Sequence, residues 1–215
     1  MQTGTTRPEI GTLISRYPAL APCRADIDAA VDALLACFRR GGKVLLAGNG
    51  GSAADCLHIA GELLKGFNSL RPLSANDQAQ LTELFGEVGT GLGAQLQRGL
   101  PAIALPGALA LTTAMANDVN ADLIYAQGVM ALGAPGDLLL ALSTSGMAAN
   151  VTAVARVARW RGLTTVALTG KTGGTLAPLC DIAIIAPGST TAEIQEYHLP
   201  IYHALCAAVE SVLFA

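Results

Sequence analysis

Five times along this chain a short apolar run gives way to a turn or a helical pattern, at Lys43–Ala47, Ala102–Leu105, Leu138–Leu142, Thr164–Leu168 and Ile182–Ile185. Runs such as LLLAL are apolar throughout, without in-and-out alternation, as strands covered on both faces are. Helical patterns separate them, at about Ser52–Phe67, Ala108–Met115, Asp122–Leu132 and Asn150–Trp160. Strands alternating with helices make parallel βαβ units. The predicted fold is therefore α/β, a doubly wound five-stranded parallel sheet flanked by helices in three α/β/α layers.

Outside this alternation lie three further segments. Ala25–Arg40 has apolar residues at Ile27, Val31, Leu34, Leu35 and Phe38, a helical stripe ended by Gly41-Gly42. Thr190–Leu213 is a long helical pattern with an expected break at Pro200. Between Asn68 and Gly99 the connection is long for a compact domain. Ser74 reads as an N-cap there, and Leu81, Leu84, Phe85 and Val88 as a helical stripe loosened by Gly86, Gly89, Gly91 and Gly93. A lid, an inter-subunit arm and an insertion with its own role all fit that segment.

At 215 residues, with 52% hydrophobic side chains and few aromatics, the chain suits one domain, 1–215, that buries a full core. A formal net charge of −3 without a basic cluster argues against direct nucleic-acid binding. The apolar stretches are broken by Pro and Gly and fall short of a membrane span, and MQTGTTRPEIG lacks the build of a signal peptide. Cys23, Cys37, Cys56, Cys180 and Cys206 are odd in number and without CxxC spacing. They read as reduced thiols of a cytoplasmic protein.

The chemistry concentrates in KVLLAGNGGSAADCLHIAGEL, Lys43–Leu63. Gly48, Gly50 and Gly51 let the backbone turn tightly, Ser52 adds a hydroxyl, and the N-terminus of the following helix favours negative charge. A phosphate suits that turn, although Gly-rich strand-to-helix turns also serve close packing alone. Four residues separate His58 from Glu62, so one helix face carries both and can hold a metal or share a proton transfer. His58, His198 and His203 are the only histidines, and all lie in two short segments that also carry Glu. A second small polar turn, Ser143-Thr144-Ser145-Gly146, follows the third strand; N-capping is its plain structural role. The chain has no GxxxxGK[ST], and GNGGS is not a GxGxxG, so nucleotide readings are weak.

Together GNGGSAADCLHIAGE, the AND at Ala116–Asp118, GDLLLALSTSG at Gly136–Gly146, VALTGKTGG at Val166–Gly174 and IQEYHLPIYH at Ile194–His203 resemble the SIS (sugar isomerase) phosphosugar-binding fold, specifically phosphoheptose isomerases. The resemblance runs from Asp26 to the C-terminus. It implies conversion of sedoheptulose 7-phosphate to D-glycero-D-manno-heptose 7-phosphate through an enediol, with Glu62 as base and His203 as the opposing acid/base. It implies Zn2+ on His58, Glu62, Gln195 and His203. Substrate contacts are implied at Asn49, Gly50, Gly51, Ser52, Asp118, Ser143, Thr144, Ser145 and Gln195. A homotetramer with sites between subunits is the family precedent. The competing resemblance is to a non-catalytic SIS regulator that associates with the bacterial replication initiator; that relative has Asn at the position of His203, so His203 favours the enzyme. The chain departs from the isomerase pattern at Met147-Ala148, where Asn-Ser is usual, and at Ala192, where Asp is usual.

One spacing stands apart from this set. Eight residues separate Gln195 from His203, a rise of about 12 Å in an ideal helix. Either both long side chains lean to one point, helped by a break at Pro200, or the nearer His198 takes a role that the resemblance does not assign.

Overall fold

In the computed structural model the apolar runs pair side by side in one five-stranded parallel sheet of order β2-β1-β3-β4-β5. Residues 7–214 are described; the first six residues of the MQTGTTRPEIG segment, and with them most of the signal-peptide reading, lie outside the described residues. In chain order the elements are α1 (Pro8–Arg16), α2 (Arg24–Arg39), β1 (Val44–Gly48), α3 (Gly51–Leu64), α4 (Ala75–Gln95), β2 (Ala102–Ala104), α5 (Leu109–Asp118), α6 (Ile124–Leu132), β3 (Leu138–Ser143), α7 (Ala149–Trp160), β4 (Thr164–Gly170), β5 (Ile182–Ala186) and α8 (Thr191–Leu213).

Successive strand residues point to opposite faces, and both faces are covered. Val44 and Leu46 of β1 with Leu138, Leu140 and Leu142 of β3 meet α2, α3 and α8. Leu45 and Ala47 with Leu139 and Ala141 meet α6 and α7 on the other side. That double burial is why the runs carry no polar alternation. Among the described residues no helix is long and apolar enough to cross a membrane.

Two sequence expectations needed correction. Pro200 does not interrupt the C-terminal helix: α8 runs unbroken through it from Thr191 to Leu213. An interior proline costs about 3 kcal/mol, but Ile194, His198, Ile201, Tyr202 and Leu205 are all buried around it, and that burial outweighs the lost hydrogen bond. A capping box starts the same helix, with the Thr190 hydroxyl accepting from the Glu193 N–H and the Glu193 carboxylate accepting from the Thr190 N–H. The second correction is in the 68–99 segment, where the single stripe read through Val88 is a reversal. Gly86 sits at φ 58° and ψ −133°, and the two halves of α4 fold back as a hairpin with Thr82 and Thr90 hydroxyls 3.1 Å apart. Gly89 and Gly93 lie at the crossing, where a Cβ on Gly89 would come within 1.8 Å of the Leu81 carbonyl oxygen. Leu84, Phe85 and Val88 stay exposed at the tip.

At the opposite end of the sheet from the strand-to-helix turns, Asp137 ties β1 to β3. Its carboxylate accepts from the Lys43 N–H at 2.9 Å, the Lys43 ammonium at 2.6 Å and the Ala134 N–H at 2.8 Å. Burial pushes the Asp137 carboxyl upward, and the donors from Lys43 and Ala134 outweigh it, so its pKa lies below the usual carboxylate range. A depressed carboxylate adds stability above its unfolded pKa, near 4, and loses it as pH falls through the lower folded value. Asp137→Asn is therefore expected to cost about 2 kcal/mol at pH 7 in urea unfolding. The gap between variant and parent should narrow below about pH 4; a gap independent of pH would exclude the charged carboxylate as its source.

Candidate functional site

Strand order 2-1-3-4-5 places a topological switch point between β1 and β3, where the following connections leave for opposite faces and open a crevice beyond the carboxyl ends. Both small polar turns read from the sequence lie there. After β1, Gly50 takes φ 56° and ψ −122°, a conformation for which glycine is suited, and α3 begins at the next residue. The Asn49 amide bridges the crevice, exchanging hydrogen bonds of 2.8 and 2.9 Å with the Asn150 amide at the start of α7. Tyr125 of α6 donates to the Gly48 carbonyl at 2.7 Å and fixes the turn from below.

After β3, the Ser143 hydroxyl accepts from the Gly146 N–H and the Ser145 hydroxyl from the Met147 N–H, both at 3.2 Å. Thr144 and Ser145 are half-buried. Gly146 has φ 66°, and a Cβ there would meet the Gly173 carbonyl oxygen at 2.0 Å. Ser52 is buried at the start of α3. Asp118 ends α5, exposed, accepting from the neighbouring Asn117 amide at 2.8 Å. Hydroxyls and the N-terminal ends of α3 and α7 line this crevice, an arrangement whose chemistry suits an oxyanion.

Farther along α3, a second constellation forms against α8. His58 Nε2 lies 3.0 Å from Glu62 Oε1, and one ligand atom from each of His58, Glu62 and His203 falls within 4.8 Å of the others. His58 is exposed and Glu62 and His203 are half-buried, whereas Tyr202 is buried, its hydroxyl 3.2 Å from Asp55 Oδ1 and 3.0 Å from His58 Nδ1. An ionised carboxylate only accepts, so the Tyr202 proton goes to Asp55 and the phenol oxygen accepts from His58 Nδ1–H. His58 Nε2 is then a lone pair facing a carboxylate oxygen. A proton or a metal ion between them satisfies both.

His203 supplies the independent sign. Its Nε2 is buried and has no hydrogen-bond partner, while burial and the neighbouring His58 lower its pKa against the opposing pull of Glu62. A neutral imidazole with an unspent nitrogen is a ligand or a proton acceptor at neutral pH. Two imidazoles and a carboxylate form a donor set that fits zinc with a position left open. A cavity of about 550 Å³ reaches His203 between α1 and α8, past Thr12, Arg16, Asn68 and Leu199, a size that accommodates small organic ligands.

Gln195 stays at the other end of this helix pair. Its amide packs over Gly51, where a Cβ would meet Nε2 at 2.0 Å, and lies 3.5 Å from Asp55. His198 is fully buried and its Nε2 lies 3.2 Å from the Thr169 carbonyl. Burial drives its pKa down, so it donates to that carbonyl as a neutral ring. Asp55 and Tyr202 were not singled out from the sequence. Asp55 shares the i, i+3, i+7 face of His58 and Glu62, a visible signal; Tyr202 gave none beyond its place next to His203.

Comparison with known proteins gives a consistent picture. The SIS domain family matches residues 98–213 and again residues 19–79. A phosphoheptose isomerase of Roseiflexus sp. is 42% identical over 82% of this chain and 77% of its own. One of Burkholderia pseudomallei is 39% identical over 88% and 83%. Among solved structures, a phosphoheptose isomerase from Francisella tularensis superposes with a TM-score of 0.73 at 32% identity, covering 95% of this chain and 93% of the other. GmhA of Neisseria gonorrhoeae gives 0.68 at 32%, over 86% of each.

The two turns respond differently to an added methyl group. Gly51→Ala meets only the flexible end of Gln195 and is expected to change stability by no more than about 0.5 kcal/mol. Gly146→Ala meets backbone at a positive φ and is expected to cost about 2 kcal/mol or more. Thermal unfolding of the pair checks this; equal losses would contradict the assigned geometry.

Proposed function

This chain belongs to the SIS-domain family and within it to the phosphoheptose isomerases, and from that premise we propose that it interconverts sedoheptulose 7-phosphate and D-glycero-D-manno-heptose 7-phosphate. The observation that carries the reading is a carboxylate, Glu62, gathered with two imidazoles, His58 and His203, on one helix pair. Aldose–ketose isomerisation needs a base at the carbon next to the carbonyl and a second group that moves a proton between the two oxygens.

Glu62 takes a proton from C1 of the ketose, and the C–H electron pair becomes the double bond of an enediol. His203, neutral and facing Glu62, passes a proton between O1 and O2. Glu62 then returns its proton to C2, which completes the aldose without a net gain or loss of atoms. His58, Glu62 and His203, with Gln195 as the fourth ligand, would hold zinc, which when bound would supply positive charge against the developing oxyanion. Asp55 and Tyr202 hold the His58 ring for that role. The crevice lined by Asn49, Gly50, Gly51, Ser52, Ser143, Thr144 and Ser145 takes the phosphate, and Gln195 and Asp118 contact the sugar.

We further propose that one SIS domain spans 1–215, with 68–99 as its helical insertion, and that it acts as a homotetramer in the cytoplasm. The free state of Cys23, Cys37, Cys56, Cys180 and Cys206 supports a reducing compartment. Exposed Leu84, Phe85 and Val88, with α5 burying none of its side chains, support association.

Purified protein incubated with sedoheptulose 7-phosphate is expected to form the aldose, and Glu62→Gln and His203→Ala to lose at least about a hundredfold in kcat. Chelation should lower the rate and added zinc restore it. Phosphosugar binding without turnover would instead support the regulator.

A further inference from the structure

The guanidinium of Arg71 is wholly buried, and two of its hydrogen bonds end on the helix that carries Glu62. Nη1 donates to the Leu63 carbonyl at 2.7 Å and Nη2 to the Glu62 carbonyl at 3.3 Å. Nε donates to Glu210 of α8 at 2.7 Å, and Arg71 and Glu210 are 0% and 2% exposed. Glu210 in turn accepts from the N–H groups of Phe67, Asn68 and Ser69 at 2.8, 2.7 and 3.2 Å. Burial raises the Glu210 carboxyl and these donors outweigh it, so its pKa lies below the usual range.

This arrangement replaces the ordinary end of a helix. The last carbonyls of α3 lack the next turn of N–H groups, because the chain turns away and gives its N–H groups to Glu210 and to the Gln97 side chain. Arg71 supplies donors to the Glu62 and Leu63 carbonyls, and the Leu100 N–H donates to the Leu63 carbonyl as well, at 2.9 Å. Glu210 stands seven residues after His203, two turns along the same helix. One guanidinium thus fixes the backbone of Glu62 at a set distance from the helix that carries the opposing imidazole.

We propose that Arg71, held by Glu210, is a positioning residue for the base: it sets where the Glu62 carboxylate stands against the substrate carbon and His203. The inference rests on the assignment of Glu62 as base. A buried ion pair that only tied the chain together would matter to stability and leave the chemical step of the folded protein untouched.

Arg71→Lys separates the two roles. Lysine keeps the charge beside Glu210 but lacks the planar fork that reaches both carbonyls. With sedoheptulose 7-phosphate, and with the same sugar deuterated at C1, the folded variant is expected to lose about tenfold to a hundredfold in kcat. KM should stay unchanged, and the isotope effect on kcat should rise as proton removal becomes limiting. Should Arg71→Lys fold poorly, Glu210→Gln, which keeps an acceptor for the 67–69 N–H groups, carries the same expectation. Wild-type kcat per folded molecule in either variant, or a loss that only tracks the folded fraction, overturns the proposal. Glu62→Gln run alongside keeps the two claims apart: if it turns over normally, the base assignment itself has failed.

Discussion

The site depends on the packing of α3 against α8, two helices 140 residues apart that run side by side from the same end of the sheet. Apolar contacts among Cys56, Ile59, Leu63, Ile201, Tyr202 and Leu205 hold them together. The polar residues ride on that seam. At its start Gln195 meets Gly51, in the middle Tyr202 meets His58 and Asp55, and at its end Glu210 reaches across to Arg71. Neither helix alone presents a usable centre, since each contributes only part of the donor set.

The same helix reaches the second turn through His198. Its ring donates to the Thr169 carbonyl, and the Thr169 hydroxyl donates at 2.6 Å to the Ser143 carbonyl. α8 thereby holds the end of β3, where the crevice between the two polar turns begins. Along α8, Gln195 meets the first turn, His198 stands behind the second and His203 joins the cluster. A buried neutral histidine suits that task because it offers a donor without a charge to desolvate.

Much of this was legible in the sequence because local patterns carried it. Continuous apolar runs gave the covered strands, and the four-residue interval gave the shared face of His58 and Glu62. What stayed hidden depends on distant partners. Nothing local says that Asp55 will meet Tyr202, or that Arg71 will be buried, since both depend on contacts more than a hundred residues away. Pro200 misled because a local rule about backbone hydrogen bonds was set against tertiary burial that the sequence does not display. In the 68–99 segment the helical stripe was visible but the reversal at Gly86 was not, because glycine loosens a helix and turns it with the same letter.

The hairpin leaves the body at Pro72 and returns at Gln97, and those residues face each other across a single antiparallel bridge. Arg98 donates its N–H to the Arg71 carbonyl at 2.7 Å, just beyond the crossing. The neck is therefore closed whatever lies above it. Chain added or removed at the tip changes the length of a loop whose ends are already pinned, and closure entropy grows only slowly with length. Selection can reshape the exposed apolar tip without moving Glu62, so the tip is free to diverge faster than the helix pair below it.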